Sequence, residues 1–219
     1  MAISHNAVSR LPLYRAAIVR LHAYGAVNLY SSDIADSLGL TAAQVRKDFS
    51  MFKFAGKKKV GYDADFLLKN IDLLLGKNEP PAAILCCAGP DGSAFLADQI
   101  IDGFGFSIVA AFEDESGGKS PAIDHARREN VPILPFEELI PFVTHRGIAI
   151  GIIATPAKHA QRMLDLLVIA GVQGVLDLSG AELKSPKQCV VNSVNVVREF
   201  EKLVYYVKKP AHARNAAAL

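Results

Sequence analysis

Hydrophobic residues in the first third of the chain recur at helical spacing; from Ala82 onward they gather into short continuous runs. Leu11, Ile18 and Leu21 form one stripe, which predicts a helix over Leu11–Tyr24 with Pro12 in its first turn and Gly25 as its stop. Residues 1–10 carry no such pattern. A short helix is expected over Asp33–Leu38, with Ser31 and Ser32 as cap candidates and Gly39 as terminator. Thr41, followed three residues later by Gln44, has the spacing of a capping box, and Val45, Phe49 and Phe52 then fall on one face of the helix it opens. Two short helices across a Gly39-Leu40 turn make a helix-turn-helix. Phe66–Leu75 reads as an amphipathic connecting helix ending at Gly76, and Asn78-Glu79-Pro80-Pro81 reads as a rigid linker.

The apolar runs beyond the linker predict strands at Ala82–Cys87, Phe106–Phe112, Val131–Leu134, Ile148–Ala154, Gly174–Asp177 and Cys189–Val191. Helical segments are expected at Ser93–Ile101, Phe136–His145 and Ala157–Ala170. Continuous apolar strands alternating with helices indicate a parallel sheet covered on both faces, a nucleotide-binding architecture by analogy. The run Val196-Val197, Phe200, Leu203-Val204 and Val207 predicts a final amphipathic helix, placed either on its own sheet or on a partner subunit.

The polar face of the Thr41 helix gives the first chemical indication. Lys47 points away from the apolar side, with Gln44, Ala43 and Ser50 beside it and Arg46 on the flank. A cation, an amide and small residues suit phosphates and base edges, although any solvated helix carries some lysine and arginine. Lys57, Lys58 and Lys59 then form a glycine-bounded loop between Gly56 and Gly61, as in the wing of a winged helix.

Charge sharpens the picture. The 219 residues carry a net +2, but residues 1–62 hold nine Lys and Arg against three acids, a net +6 that leaves −4 for the rest. A basic head on an acidic body points to a polyanion bound by the head. No leader-like apolar run opens the chain and no stretch is long enough to span a membrane, so the expected compartment is the cytoplasm. Three cysteines, two of them adjacent, make no disulfide framework, and Cys86 and Cys87 are expected as buried structural thiols on opposite strand faces. The six histidines have no metal-ligand spacing, and His159 is expected to cap a helix or face solvent.

Several stretches together resemble the Rex family of redox-sensing transcriptional repressors over nearly the whole chain. They are Arg10-Leu11-Pro12-Leu13-Tyr14-Arg15, Ser31-Ser32, Leu38-Gly39, Thr41 to Asp48 and Val60-Gly61-Tyr62, then Gly105-Phe106, Ala110-Ala111-Phe112, Pro156-Ala157 and Ala160-Gln161. The resemblance implies an α/β protein: an N-terminal winged helix-turn-helix (1–78), a Rossmann-like dinucleotide-binding domain (79–193) and a C-terminal dimerisation helix and tail (194–219). It implies a homodimer that exchanges its last helix, binds double-stranded operator DNA and releases it when NADH replaces NAD⁺. The DNA-facing set is then Ser31, Ser32, Thr41, Ala43, Gln44, Arg46, Lys47, Ser50, Lys57, Lys58, Lys59 and Tyr62. The NAD(H) set is Ala88, Gly89, Pro90, Asp91, Gly92, Ser93, Glu113, Thr155 and Pro156, with no metal and no catalytic residue.

The nucleotide loop departs from the family. Where the pattern is G-A-G-N-L-G, this chain has Cys87-Ala88-Gly89-Pro90-Asp91-Gly92. Pro90 removes an N–H, Cys87 adds a Cβ at the turn, and Asp91 brings a carboxylate to where pyrophosphate would sit. Glu113 keeps the acid expected after the second strand for a ribose hydroxyl; a solvated acidic loop would look the same. The family's Asp at the start of the last helix is Asn195 here, followed by Val196. Three functions stay open: a repressor sensing NADH/NAD⁺, a DNA-binding regulator with another ligand or none, and an NAD-dependent oxidoreductase with an accessory domain. The last lacks a convincing proton donor and substrate-holding cation.

Overall fold

The computed structural model describes residues 3–87, 106–113 and 131–208. The chain divides into two compact units, with boundaries between Asn78 and Glu79 and between Tyr205 and Tyr206, the residues after the second boundary falling with the first unit.

The first unit opens with α1 (His5–Ala23), which starts six residues before the predicted boundary. Ser4 caps it, its hydroxyl accepting from the Ala7 N–H at 3.3 Å, and Ala7, Leu11, Tyr14, Ala17 and Ile18 are buried. Pro12 therefore lies inside the helix rather than in its first turn. Burial of Ala7 and Leu11 holds the early turns in place where sequence periodicity alone gave no signal.

Next come β1 (Asn28–Leu29), α2 (Ser31–Leu38) and α3 (Ala42–Met51). The cap of α2 also differs from expectation. Tyr30 is the N-cap residue, and Asp33 reaches back so that its carboxylate accepts from the Tyr30 N–H at 2.8 Å. Gly39 ends α2 in the left-handed region, φ 66°, where a Cβ is disfavoured. A short β2 (Tyr62–Asp63) pairs antiparallel with β1, and α4 (Ala64–Leu74) follows, capped by the Asp63 carboxylate on the Phe66 N–H at 2.8 Å. The core gathers on Phe49, whose ring meets Tyr14, Phe54 and Tyr62 edge-on at centroid distances of 5.2, 5.4 and 5.0 Å. Such edge-to-face contacts place positive ring edges against negative faces.

The second unit is a six-stranded parallel sheet. Its strands are β3 (Ala82–Cys87), β4 (Ser107–Glu113), β5 (Ile133–Pro135), β6 (Ile150–Ala154), β7 (Gly174–Asp177) and β8 (Val190–Ser193), in the order β5-β4-β3-β6-β7-β8. The central β3 pairs with β4 on one side and β6 on the other, so the strand order reverses at the β3–β6 boundary. A short 3-10 turn (Phe136–Glu138) leads into α5 (Leu139–Arg146), and α6 (Ala157–Ile169) joins β6 to β7. Leu139, Val143, Ala160, Met163, Leu164 and Leu167 from these helices bury the face carrying Ile84, Cys86, Phe112 and Ile153. The predicted Ile148 start of β6 moves to Ile150 because the Ile148 N–H closes α5 on the Val143 carbonyl. The expected Ser93–Ile101 helix lies outside the described residues.

The last helix, α7 (Val196–Lys208), buries none of its side chains. Val196, Val197, Phe200 and Leu203 are all more than half exposed.

Candidate functional site

The polar groups of α3 divide by burial. Thr41 caps the helix as expected, its hydroxyl accepting from the Gln44 N–H at 3.1 Å. Gln44 does not complete the capping box. Its amide turns down the helix and donates to Asp48 at 2.8 Å, which takes it out of the purely outward-facing set. Ala43, Arg46, Lys47 and Ser50 remain exposed. The Arg46 guanidinium donates to the Ser31 hydroxyl at 3.0 Å, tying the base of α3 to the start of α2, while Ser32 turns to its neighbour Asp33. Sequence reading put Ser31, Ser32, Arg46 and Gln44 on one DNA-facing surface. Arg46 and Ser31 already pair with each other across the helix-turn-helix, Ser32 pairs with its neighbour within α2, and Gln44 reaches back to Asp48.

Asp48 is the residue sequence reading missed. It is fully buried and accepts from Arg10 Nε at 2.7 Å, Arg10 Nη2 at 3.0 Å, the Tyr14 hydroxyl at 2.6 Å and Gln44. Burial pushes its carboxyl upward, but the hydrogen bonds from Arg10, Tyr14 and Gln44 outweigh this and hold it below the usual carboxylate range. Burial and the neighbouring carboxylate both push the Tyr14 phenol up, so it stays protonated as a donor. The signal was available: Asp48 sits three residues after Val45 on the apolar face, and Arg10 and Tyr14 are one helical turn apart.

The wing is a closed turn. Lys57 and Gly61 exchange backbone hydrogen bonds at 2.8 and 2.9 Å, and Lys59 takes a left-handed conformation, φ 66°. Gly61, at φ 90°, lies so near β1 that a Cβ would sit 2.5 Å from the Leu29 carbonyl oxygen. Tyr30 donates to the Lys59 carbonyl at 3.1 Å, and Lys57, Lys58 and Lys59 are exposed at the tip. The Tyr62 ring packs on Phe49 and against Gly56, which leaves the residue half-buried.

In the second unit the proposed loop residues Ala88, Gly89, Pro90, Asp91, Gly92 and Ser93 lie outside the described residues. The strand ends around them are described. Cys87 closes β3, its thiol donating to the Phe112 carbonyl at 3.5 Å; burial, then the charge of Glu113, pushes it up to about 12. Burial also pushes Cys86 up, and the two thiols lie on opposite sheet faces. Neither supplies a thiolate at neutral pH.

Glu113 ends β4 beside Cys87, and burial raises its carboxyl above the usual range. Thr155 follows β6 directly. It is buried, and its hydroxyl has no partner. Pro156 begins the turn into α6; His159, expected to cap a helix or face solvent, makes no side-chain cap and is partly exposed, its backbone N–H bonding the Pro156 carbonyl. Asp177 ends β7, fully buried, with Oδ1 accepting from the Ser179 N–H and hydroxyl at 2.9 and 2.5 Å and Oδ2 unpartnered. Asn195 uses both ends of its amide: Oδ1 accepts from the Arg198 N–H at 3.0 Å and Nδ2 donates to the Gly180 carbonyl at 3.1 Å. Among the described residues no group of three His, Cys, Asp or Glu is placed to hold a metal.

A helix-turn-helix with a basic wing, joined to a doubly wound sheet whose strand order reverses at β3–β6, defines a winged-helix protein with a Rossmann-like second unit. The family model described as "Putative DNA-binding protein N-terminus" matches residues 2–50. The redox-sensing transcriptional repressor Rex of Carboxydothermus hydrogenoformans is 33% identical over 207 residues, covering 94% of this chain and 97% of that protein. The Rex protein of Desulforamulus reducens is 32% identical, covering 94% and 95%. The crystal structure of RSP, a Rex-family repressor, in complex with β-NAD⁺ and operator DNA has the same fold, with TM-score 0.82, 24% identity and coverage of 94% of this chain and 93% of that one. RSP in complex with β-NADH gives TM-score 0.78, with coverage of 94% and 95%. The chain belongs to the Rex family of redox-sensing transcriptional repressors.

Proposed function

We propose that this chain is a homodimeric, non-enzymatic repressor that binds operator DNA through α3 and the wing and adjusts that binding to the NADH/NAD⁺ ratio. The observation that carries the reading is the pairing, on one family-matched chain, of an exposed Lys47 face beside a three-lysine wing with a doubly wound sheet. Lys47, Ala43 and Ser50 would reach the groove, and Lys57, Lys58 and Lys59 the phosphates. NAD(H) fits the second unit because polar groups wait at its carboxyl edge. Glu113 would hold the ribose hydroxyls, and the unpartnered Thr155 hydroxyl lies on the other side of the switch point. Among the described residues no helix is long and apolar enough to cross a membrane; the proposed DNA-binding role supports a cytoplasmic location.

One observation favours a second reading, in which DNA binding persists but nucleotide redox state does not govern it. Asn195 lacks the charge of the family's Asp and is committed to capping α7. Fluorescence anisotropy on an operator duplex, with NAD⁺ or NADH added, separates the two. The first reading expects NADH to weaken binding at least tenfold relative to NAD⁺. Equal affinity with both nucleotides would leave only the second.

A further inference from the structure

Among the described residues three polar side chains are buried: Asp48, Thr155 and Asp177. Asp48 is saturated by four donor atoms. Thr155 Oγ1 has no partner at all, and Asp177 Oδ2 has none. A third unpartnered atom, His22 Nδ1, belongs to a partly exposed side chain of the first unit. A buried polar atom without a partner costs free energy, and native proteins keep few of them. Here two occur at the carboxyl ends of adjacent parallel strands, Asp177 as the last residue of β7 and Thr155 just after β6.

Their placement gives them a ligand. Ile153 of β6 is in register with Asp177 of β7, and Thr155 stands two residues beyond Ile153. Both positions therefore lie at the carboxyl edge, on the β6–β7 side of the β3–β6 reversal. In a doubly wound sheet each half takes one mononucleotide, and the acid after the second strand takes the adenosine ribose. Glu113 is that acid here, so the adenosine half belongs to β3–β4 and the nicotinamide half to β6–β7. A nicotinamide ends in a carboxamide, one carbonyl acceptor and one NH₂ donor. Thr155 offers a hydroxyl that can donate and Asp177 a carboxylate oxygen that can accept. Ser179 already anchors the other Asp177 oxygen from its N–H and hydroxyl, so the acceptor is held in place before any ligand arrives.

We propose that Thr155 and Asp177 form a carboxamide clamp that recognises the nicotinamide end of the dinucleotide. The clamp rests on the reading that this sheet binds NAD(H). It makes the pair a specificity device: a dinucleotide with another group in place of the carboxamide is rejected because the buried oxygens stay unpaired.

Calorimetric titration of the full-length protein with three ligands tests it. They are NADH, reduced 3-acetylpyridine adenine dinucleotide, whose methyl replaces the amide NH₂, and ADP-ribose, which has no nicotinamide. The native protein is expected to prefer NADH over the acetylpyridine analogue by about tenfold, the scale of one hydrogen bond to a charged acceptor. Thr155→Val, which keeps shape and removes the hydroxyl, should weaken NADH by about fivefold or more, leave ADP-ribose unchanged, and leave the melting temperature of the free protein equal or higher. Thr155→Ser should restore NADH affinity. Asp177→Asn should shrink the preference for NADH over the analogue. If Thr155→Val weakens ADP-ribose as much as NADH, or changes neither, and Asp177→Asn leaves the preference intact, the clamp is wrong while dinucleotide binding stands. If the native protein binds none of the three ligands, the dinucleotide reading fails and takes the clamp with it.

Discussion

Single residues show two opposite uses of burial. Asp48 is an acid enclosed by donors, whereas Thr155 and Asp177 leave oxygens open. The Asp48 cluster joins α1 to α3, so the orientation of α3 depends on it. Removing one member of a buried ion pair costs about 3–5 kcal/mol, because the remaining charge is stranded. Asp48→Asn should lower the urea midpoint at pH 7, followed by far-UV circular dichroism of the full chain. The sign with pH follows from the lowered carboxyl. A group depressed on folding stabilises above its unfolded pKa, about 3.9, and that stabilisation is lost as pH falls through the folded value. The gap between native and Asp48→Asn midpoints should therefore narrow below about pH 4; a constant gap down to pH 3 would remove the charge from the account. Asp48 was legible only in part: its place on the apolar face of α3 and Gln44 one turn before it could be read, but its arginine and tyrosine donors come from 38 and 34 residues away, and no local pattern pairs an acid with them. Cys86 and Cys87 were legible, since strand alternation alone sends neighbours to opposite faces.

At the scale of elements, local signals located helices and strands better than they located their ends. Gly39 and Thr41 mark real boundaries because a left-handed stop and a side-chain cap are chemical requirements of a few residues. The start of α1 was not legible, because its first turns are held by tertiary burial of Ala7 and by Arg10 reaching Asp48. The strands of the sheet were legible as apolar runs, since a sheet covered on both faces needs them. On the proposed DNA-binding surface, geometry would divide the work between the wing and α3. Lys57, Lys58 and Lys59 sit on a closed turn whose tip is solvated, where phosphate is the natural contact, whereas Lys47 rides on a rigid helix. Replacing the three wing lysines by Ala should weaken binding to every duplex alike and flatten the dependence of log K on log salt. Lys47→Ala should cost about 1–3 kcal/mol on the operator and less on unrelated DNA if it meets a base edge. Anisotropy titrations over a salt series measure both. A wing variant that lost affinity for one sequence only would assign base reading to the wing.

The whole molecule poses a question that one chain cannot answer internally. α7 is a helix with a strong apolar stripe and no buried side chain: Val196 is 75% exposed, Phe200 64% and Leu203 56%. A 13-residue helix in water is marginal by itself, so its stability must come from something its apolar stripe packs against. Large contiguous apolar surface on a monomer marks an interaction site. The family resemblance implies exchange of this helix between two subunits, and the exposure of the stripe supports that reading. A two-fold dimer would also match the symmetry of a palindromic operator, with each α3 serving one half-site. Phe200→Asp combined with Leu203→Asp places two carboxylates on the stripe without disturbing any buried contact of the isolated chain. Light scattering after gel filtration should then find the native protein at twice the 23.5 kDa chain mass and the variant at that mass. Operator affinity of the variant should fall by orders of magnitude, because two half-sites would no longer be held on one rigid body. The variant's single-chain fold should keep its far-UV spectrum apart from the loss of α7. A variant that stays dimeric with full operator affinity would place the dimer contact elsewhere and leave the stripe of α7 to some other partner.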